Sequence, residues 1–199
     1  DFVTVGDFSW YDHVLDMSAM LGVIPKRFRH PGGSVDLNTV FCMARGQAPY
    51  RKEATACEMT KWFNTNYHYI VPEFTEDQSF RLSTDTLFTT IDQAHALGYR
   101  VKPVLLGPLT FLWLGKTKDT EFNKLSLLNK LLPVYHEIFE QCRLRNIDWI
   151  QIDEPILTLD LPQEWQDAYK TTYQQLDFKG LHGLLATYFG SVSANLSII

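Results

Sequence analysis

Short apolar strands alternate with amphipathic helices along this chain, and this alternation restricts its fold more than any other feature. Runs rich in apolar and β-branched residues, typical of buried strands, lie at residues 2–5, 58–74, 101–106, 149–152 and 184–188. Segments with helical spacing lie between them. Strands that are apolar on both faces and are joined by helices are typical of a parallel sheet that helices cover on both sides. The sequence therefore predicts a parallel α/β fold.

The helices are predicted from apolar residues that recur every three or four positions. A glycine follows each of the first three segments, where it favours the end of a helix. Thr84 is expected to cap the third helix, Pro133 to kink or divide the fourth, and Pro162 to begin the fifth. The predicted helices cover residues 10–21, 36–44, 85–97, 126–145 and 162–176.

Two architectures contain such units. An open doubly wound sheet and a (βα)8 barrel are both built from strands that alternate with helices, and the predicted strands would leave part of a barrel unaccounted for. No GxGxxG or Walker sequence follows the first strand, which lowers the odds of a nucleotide-binding sheet. The pattern alone leaves both architectures open.

Composition argues against several classes of partner. The chain has 199 residues, of which 45% are hydrophobic, enough to build the core of one domain. A net charge of −5 argues against non-specific binding to nucleic acid or to an anionic membrane. The apolar runs are too short to span a bilayer, and three widely separated cysteines fit a reducing compartment. We expect a soluble, cytoplasmic chain with no nucleic-acid or membrane partner.

Residues 58–74 are the most unusual of the predicted strands, because polar side chains interrupt an aromatic and β-branched run. Buried polar groups need partners, so this segment either is richly hydrogen-bonded inside the protein or lines a ligand cleft. A lysine within such a strand, here Lys61, is uncommon unless its ammonium is paired or exposed. The local sequence favours an ion pair with Glu58, Asp7 or Glu73 over a charge that holds an anionic substrate.

Ligands of parallel α/β proteins bind beyond the carboxyl ends of the strands. Asp153 and Glu154 follow a predicted strand and could serve as acid and base, yet neighbouring residues on an extended chain point in opposite directions. A hydrogen-bonding role for this pair is as well supported as catalysis. His68 is the histidine that we retain as a candidate, because most of the others fall in predicted helices or in a basic loop at residues 23–52 that we interpret as solvated surface. The remaining strand-end candidates are Asp7, Gly107, Pro108, Thr187, Tyr188 and residues 64–67.

Five long segments resemble one protein family. They are VGDFSWYDHVLD at residues 5–16, EMTKWFNTNYHYIVPEF at 58–74, VKPVLLGPLTFLWLGK at 101–116, LSLLNKLLPVY at 125–135 and WIQIDEPIL at 149–157. Together and in this order they resemble the N-terminal half of cobalamin-independent methionine synthases. Motifs of this length are highly specific, and they run through nearly the whole chain.

The resemblance implies a role in methionine biosynthesis. Members of this family transfer a methyl group from 5-methyltetrahydropteroyltriglutamate to homocysteine, and they consist of two (βα)8 barrels. The catalytic zinc, which lowers the pKa of the substrate thiol, and the homocysteine site belong to the C-terminal barrel. By resemblance, residues 1–199 are one incomplete N-terminal domain, a partial (βα)8 TIM-type barrel of about strands two to six, without the zinc barrel and inactive as a methyltransferase alone.

The resemblance also assigns candidate residues. The lysine of the family's MTKWFNTNYHY motif contacts the folate polyglutamate tail, and that position is Lys61 in this sequence, with Asn64 and Asn66 as further candidates. The family's zinc barrel carries a His-x-Cys pair of ligands on the strand comparable to residues 184–188, where this chain has Leu-Leu-Ala-Thr-Tyr. We therefore expect no catalytic residue and no metal ligand in this chain, with zinc bound only in the longer family proteins.

Two other interpretations are retained. In the first, the chain is a structural half that only positions the zinc barrel, and Lys61 forms an ion pair. In the second, it is a stand-alone barrel enzyme that uses Asp153 and Glu154 as acid and base. The first predicts no folate affinity, and the second predicts turnover without metal or partner.

Overall fold

The computed structural model describes residues 2–49, 51–118 and 120–199. Helices and strands alternate through most of this range, with short 3-10 helices in several connections. The strands are β1 (Phe2–Val5), β2 (Met59–Lys61), β3 (His68–Ile70), β4 (Glu73–Phe74), β5 (Arg100–Leu106), β6 (Lys116–Thr117), β7 (Trp149–Asp153) and β8 (His182–Ala186). The α-helices are α1 (His13–Met20), α2 (Leu37–Arg45), α3 (Thr86–Ala96), α4 (Pro108–Leu114), α5 (Leu128–Leu144) and α6 (Gln163–Gln175). The 3-10 helices are Lys26–Phe28, Lys124–Leu127, Pro155–Thr158 and Ser193–Ile198.

A parallel sheet in the order β1-β5-β7-β8 is the centre of the fold. Leu106 at the end of β5 lies beside Asp153 at the end of β7, which in turn lies beside Ala186 at the end of β8. The carboxyl ends of these strands therefore meet along one edge of the sheet. The predicted parallel α/β fold is confirmed. The sheet is open within the described residues and is compatible with part of an α/β barrel.

The prediction of one strand over residues 58–74 is wrong. Strands β2 and β3 form an antiparallel hairpin, and β4 pairs in parallel with β6 instead of joining the main sheet. The hairpin turn forms because residues 62–67 carry turn chemistry: Phe63 has a positive φ of 49°, and the hydroxyl of Thr65 donates to the carbonyl of Trp62. As a result β1 pairs directly with β5.

Helices α2, α3 and α6 begin and end within one residue of their predicted bounds and α5 within two, whereas α1 is shorter than predicted. Helix α1 begins at His13, because the Asp12 side chain caps it by accepting a hydrogen bond from the Leu15 amide at 2.8 Å. Helix α3 has Asp85 at its N-cap position, so Thr84 is not the cap. Pro133 lies inside the continuous helix α5 and does not divide it.

Helix α4 was not predicted from the sequence. Its residues are almost all buried, so it shows no polar face from which a helical period could be recognised. It begins directly after β5, with Pro108 in its first turn. This short connection places the N-terminus of a buried helix at the carboxyl edge of the sheet.

Two apolar cores hold these elements together. The larger core lies around the sheet and α3 to α6, and includes Leu105, Leu109, Phe139 and Ile150. The smaller core packs α1 and α2 against the hairpin through residues that include Leu15, Phe28, Val40, Met43 and Ile70. Among the described helices, none combines the length and apolar character required to cross a membrane.

Candidate functional site

A cleft of about 610 Å³ opens at the carboxyl edge of the main sheet. Its floor is formed by the ends of β1 and β5, and helices α1, α2 and α3 contribute to its walls. Three carboxylates and three aromatic side chains line it: Asp7, Asp16, Asp153, Phe8, Trp10 and Tyr188. The predicted position of a ligand site, beyond the strand ends, therefore coincides with a real cavity.

Asp153 faces this cleft and is held by neutral donors. The Tyr188 hydroxyl donates to Asp153 Oδ2 at 2.8 Å, and the Gln151 side-chain amide donates to Oδ1 at 2.8 Å. Gln151 in turn accepts a hydrogen bond from the Lys102 ammonium at 2.5 Å. Burial raises the pKa of Asp153 above its ordinary value, although these hydrogen bonds lower it in part. The chain of contacts fixes the carboxylate in position at the cleft.

Glu154 points to the other side of the strand and is fully buried. It accepts hydrogen bonds from the Leu109 and Thr110 amides at 3.2 and 2.8 Å, and from the Thr110 and Tyr173 hydroxyls at 2.5 and 2.8 Å. Burial nevertheless raises its pKa to about 7. A Cβ at Gly107 would collide with this carboxyl group, so the glycine leaves room for it.

The two adjacent carboxylates therefore have separate roles. Asp153 lines the cleft, whereas Glu154 binds the first turn of α4 in the core, as the alternation of side chains along a strand predicts. They do not face a common substrate. The arrangement offers no support for an acid and base pair formed by Asp153 and Glu154.

His13 lines the cleft, although it falls within a predicted helix and was not retained as a candidate from the sequence. Its Nε2 is buried and has no hydrogen-bond partner in the described part of the chain. Burial lowers the pKa of His13 to about 4, so the ring is neutral at physiological pH. The ring packs edge-on against Trp62, with centroids 4.3 Å apart, and lies 5.9 Å from the Tyr67 ring. In the sequence, the only signal that could have indicated His13 as a cleft residue is its position in the segment that follows the first strand.

Lys61, Asn64 and Asn66 are brought together on the β2–β3 hairpin, and all three are exposed. They do not line the cleft. The hairpin lies at the rim of the cleft, because Trp62 packs against His13 and its ring lies 6.4 Å from that of Tyr188. The candidate binding residues thus form an exposed group beside the cavity.

The ion pairs considered for Lys61 are not formed in the described residues. Glu58 instead forms an ion pair with Lys116, with 2.6 Å between Oε1 and Nζ. Glu73 forms a bidentate ion pair with Arg27, whose two terminal guanidinium nitrogens lie 2.5 and 2.8 Å from the carboxylate oxygens. Asp7 accepts a hydrogen bond from a neighbouring threonine hydroxyl. Lys61 is exposed and has no ion-pair partner within residues 2–49, 51–118 and 120–199.

Arg27 corrects the interpretation of the basic loop as solvated surface. Its guanidinium binds the buried carboxylate of Glu73 and also donates to the Thr55 carbonyl at 2.7 Å. Burial acts to raise the pKa of Glu73, but the Arg27 hydrogen bonds and charge outweigh it, so that the pKa is lowered. The arginine ties the loop to strand β4.

The hairpin is firmly attached at its base. The Asp12 carboxylate accepts from the amides of Leu15 and Ile70, at 2.8 and 3.0 Å, and so joins α1 to β3. The Tyr69 hydroxyl donates to the Leu114 carbonyl at 3.1 Å. Burial raises the pKa of Asp12 to about 6, even though both amides lower it. These buried contacts hold the hairpin in place while its tip stays exposed.

The family model for the cobalamin-independent synthase N-terminal domain matches residues 1–199. This chain belongs to that family. It is 63% identical over 198 residues to a protein of Coxiella burnetii strain Dugway 5J108-111 and 54% identical over 199 residues to one of Yersinia pestis strain Pestoides F. Both relatives are named 5-methyltetrahydropteroyltriglutamate–homocysteine methyltransferase. Both alignments cover 100% of this chain but only 25% and 26% of the relatives, so the chain spans about a quarter of their length.

The motifs that carried the resemblance have distinct places in this cobalamin-independent synthase N-terminal domain. Residues 58–74 form the hairpin and β4, and residues 101–116 form β5 and the buried helix α4. Residues 149–157 form β7 and the turn that places Glu154 against α4. The sequence motifs thus coincide with the elements that build the edge of the cleft.

The described residues of this synthase domain do not fit a zinc site. Across residues 2–49, 51–118 and 120–199, no three His, Cys, Asp or Glu side chains are grouped so that they could hold a metal ion. Zinc binds thiolates, whereas burial raises the pKa of Cys57 and of Cys142 to about 12 and keeps both thiols protonated. That zinc is bound only in the longer family proteins stays a prediction.

Proposed function

We propose that this chain binds the polyglutamate tail of 5-methyltetrahydropteroyltriglutamate, as part of a methyltransferase that methylates homocysteine to form methionine. The observation that carries this proposal is Lys61, which is exposed and has no ion-pair partner among the described residues, on a hairpin whose base is held by buried contacts. The names of the relatives supply the substrate and the acceptor. The chain's own contribution is to bind and orient the tail.

The charge distribution of the hairpin suits an anionic tail. Residues 59–72 contain no aspartate or glutamate, although the chain as a whole has a net charge of −5. A lysine ammonium is a compact point charge that holds a carboxylate without demanding one geometry. Asn64 and Asn66 add exposed amide donors at the hairpin tip. A tail with several carboxylates can contact several such donors at once.

The chemical step is assigned to the remainder of a longer protein, in line with the resemblance. There a zinc ion would lower the pKa of the homocysteine thiol and supply the thiolate nucleophile. The residues described here do not take part in that step. Binding of the tail by the hairpin would hold the methyl donor near the acceptor and raise their effective concentration.

A second candidate is a domain that only supports the zinc barrel. The carboxylates at the end of β7 favour this candidate. Glu154 accepts hydrogen bonds from α4, and Asp153 accepts hydrogen bonds from Tyr188 and Gln151. These residues act as parts of the scaffold. In this case the exposed charge of Lys61 would have no ligand.

Calorimetric titration of the chain with the triglutamate and monoglutamate forms of 5-methyltetrahydrofolate distinguishes the two candidates. Tail binding predicts a preference for the triglutamate, and Lys61→Ala should weaken triglutamate binding about three- to tenfold, the range for one exposed charged contact. Lys170→Ala, which removes an exposed lysine on α6, is the matched control and should change nothing. Absence of binding by a chain shown to be folded by circular dichroism would favour the scaffold.

A further inference from the structure

We propose that His68 is a second donor for the glutamate tail and acts together with Lys61 across the β2–β3 hairpin. This inference rests on the proposed function and names a further residue for it. It begins from the register of the hairpin, in which Lys61 lies directly opposite His68. Residues that are opposite each other on antiparallel strands project their side chains from the same face of the sheet.

The hydrogen bonds of the hairpin bring these two side chains close together. The Trp62 amide donates to the Tyr67 carbonyl at 2.7 Å, and the Val71 amide donates to the Glu58 carbonyl at 2.8 Å. Hydrogen-bonded and non-hydrogen-bonded pairs alternate along an antiparallel ladder. Lys61 and His68 therefore form a non-hydrogen-bonded pair, with a hydrogen-bonded pair on each side. Side chains approach most closely in such non-bonded pairs, with Cβ atoms roughly 4.5–5.5 Å apart.

Both side chains are free to bind a ligand. Lys61 and His68 are exposed, and neither side chain has a hydrogen-bond or ion-pair partner among the residues that the structure describes. The nearest acid in the sequence, Glu58, is engaged by Lys116. The N–H donors of Lys61 and His68 therefore have no acceptor among the described residues. A carboxylate of the ligand would supply one.

The opposite face of the hairpin fixes the direction of the pair. Tyr69 alternates with His68 along β3, is buried, and donates its hydroxyl to the Leu114 carbonyl. Because neighbouring side chains of a strand point to opposite faces, His68 and its partner Lys61 lie on the face away from the Tyr69 side chain, and both are exposed at this end of the strand pair. The two donors are therefore presented together by a fixed strand pair, which suits the carboxylate and amide oxygens of successive γ-linked glutamates.

The test uses titration of the chain with the triglutamate and monoglutamate forms of 5-methyltetrahydrofolate. His68→Phe keeps a flat ring without a donor and should weaken triglutamate binding about three- to tenfold, with no effect on the monoglutamate. His68→Gln keeps a side-chain N–H and should retain part of the affinity. His182→Phe is the matched control, because His182 is an exposed histidine at the start of β8.

The double variant Lys61→Ala with His68→Phe separates this inference from the proposed function. If the donors share a carboxylate, the double variant loses less affinity than the product of the single losses. Loss of triglutamate preference in Lys61→Ala but not in the His68 variants would overturn the role of His68 and leave the proposed function standing. Equal weakening of both folate forms by His68→Phe would also overturn it. Unchanged binding in every variant would overturn both.

Discussion

The hydroxyl of Tyr173 on α6 donates to Glu154 Oε1 at 2.8 Å inside the core of the domain. Glu154 also accepts hydrogen bonds from two backbone amides in the first turn of α4, those of Leu109 and Thr110. One carboxylate therefore joins α4, β7 and α6. Burial of so many polar groups is tolerated because they satisfy one another. Within the Asp-Glu-Pro turn, Glu154 is therefore a structural group of the core, whereas Asp153 lines the cleft.

Glu154 should make the stability of the chain depend on pH. Its pKa is raised from 4.5 to about 7 in the folded state, so the folded state holds the proton more tightly than the unfolded state. This contribution to stability is full below pH 4.5 and is lost as the pH rises to about 7. Relative to Glu154→Gln, the wild type should lose about 3 kcal/mol of unfolding free energy across this window.

Urea unfolding at a series of pH values between 4.5 and 8 measures this difference. Glu164→Gln, at an exposed glutamate on α6, controls for the amide substitution itself. Parallel stability curves for the wild type and Glu154→Gln would show that the buried carboxyl group has an ordinary pKa.

Arg27→Met should leave the Glu73 carboxylate buried without its main partner. Breaking a buried ion pair costs several kcal/mol, but Arg27 is about one-third exposed, so we expect a loss of about 2–3 kcal/mol at pH 7. The pKa of Glu73 is lowered in the folded protein, so its stabilising effect is present above its ordinary pKa and is lost as the pH falls. The penalty of the substitution should therefore shrink in acid.

Chemical denaturation at pH 7 and pH 4 measures that penalty. Arg143→Met is the control, since Arg143 forms an exposed pair with Glu140 one turn away on α5 and should have no measurable effect. A loss as small as that of Arg143→Met would mean that water replaces the Arg27 guanidinium without cost.

Gly107→Ala should destabilise the domain by about 2–4 kcal/mol, because the added methyl group would collide with the Glu154 side chain in a closely packed core. The thermal midpoint and urea midpoint report the loss. The substitution should cost much less in a Glu154→Ser background, where the colliding group is absent. An equal loss of stability on Gly107→Ala with glutamate or serine at position 154 would mean that the added methyl group does not collide with the Glu154 side chain.

Local patterns predicted the elements whose signals are contained in a few neighbouring residues. Strand β7 and helices α2 and α6 lie close to their predicted bounds, because their apolar periods and end signals are complete within each segment. The opposite directions of Asp153 and Glu154 also followed from strand geometry. Helix α4 was missed because burial on all sides removes the polar face that marks a helix.

For the candidate site too, the sequence predicted some features and the packing of the chain decided others. The long motifs placed the chain in its family and marked Lys61, and the family match covers residues 1–199. What surrounds that lysine came only from the tertiary structure: the hairpin that replaces a strand, the pairing of Lys61 with His68, and the engagement of Glu58 and Glu73 by other cations. Arg27 and Glu73 are 46 residues apart, and Glu58 and Lys116 are 58 apart. The family and most of the elements thus follow from local sequence, whereas contacts between distant residues, which depend on how the elements pack, set which charged side chains are paired.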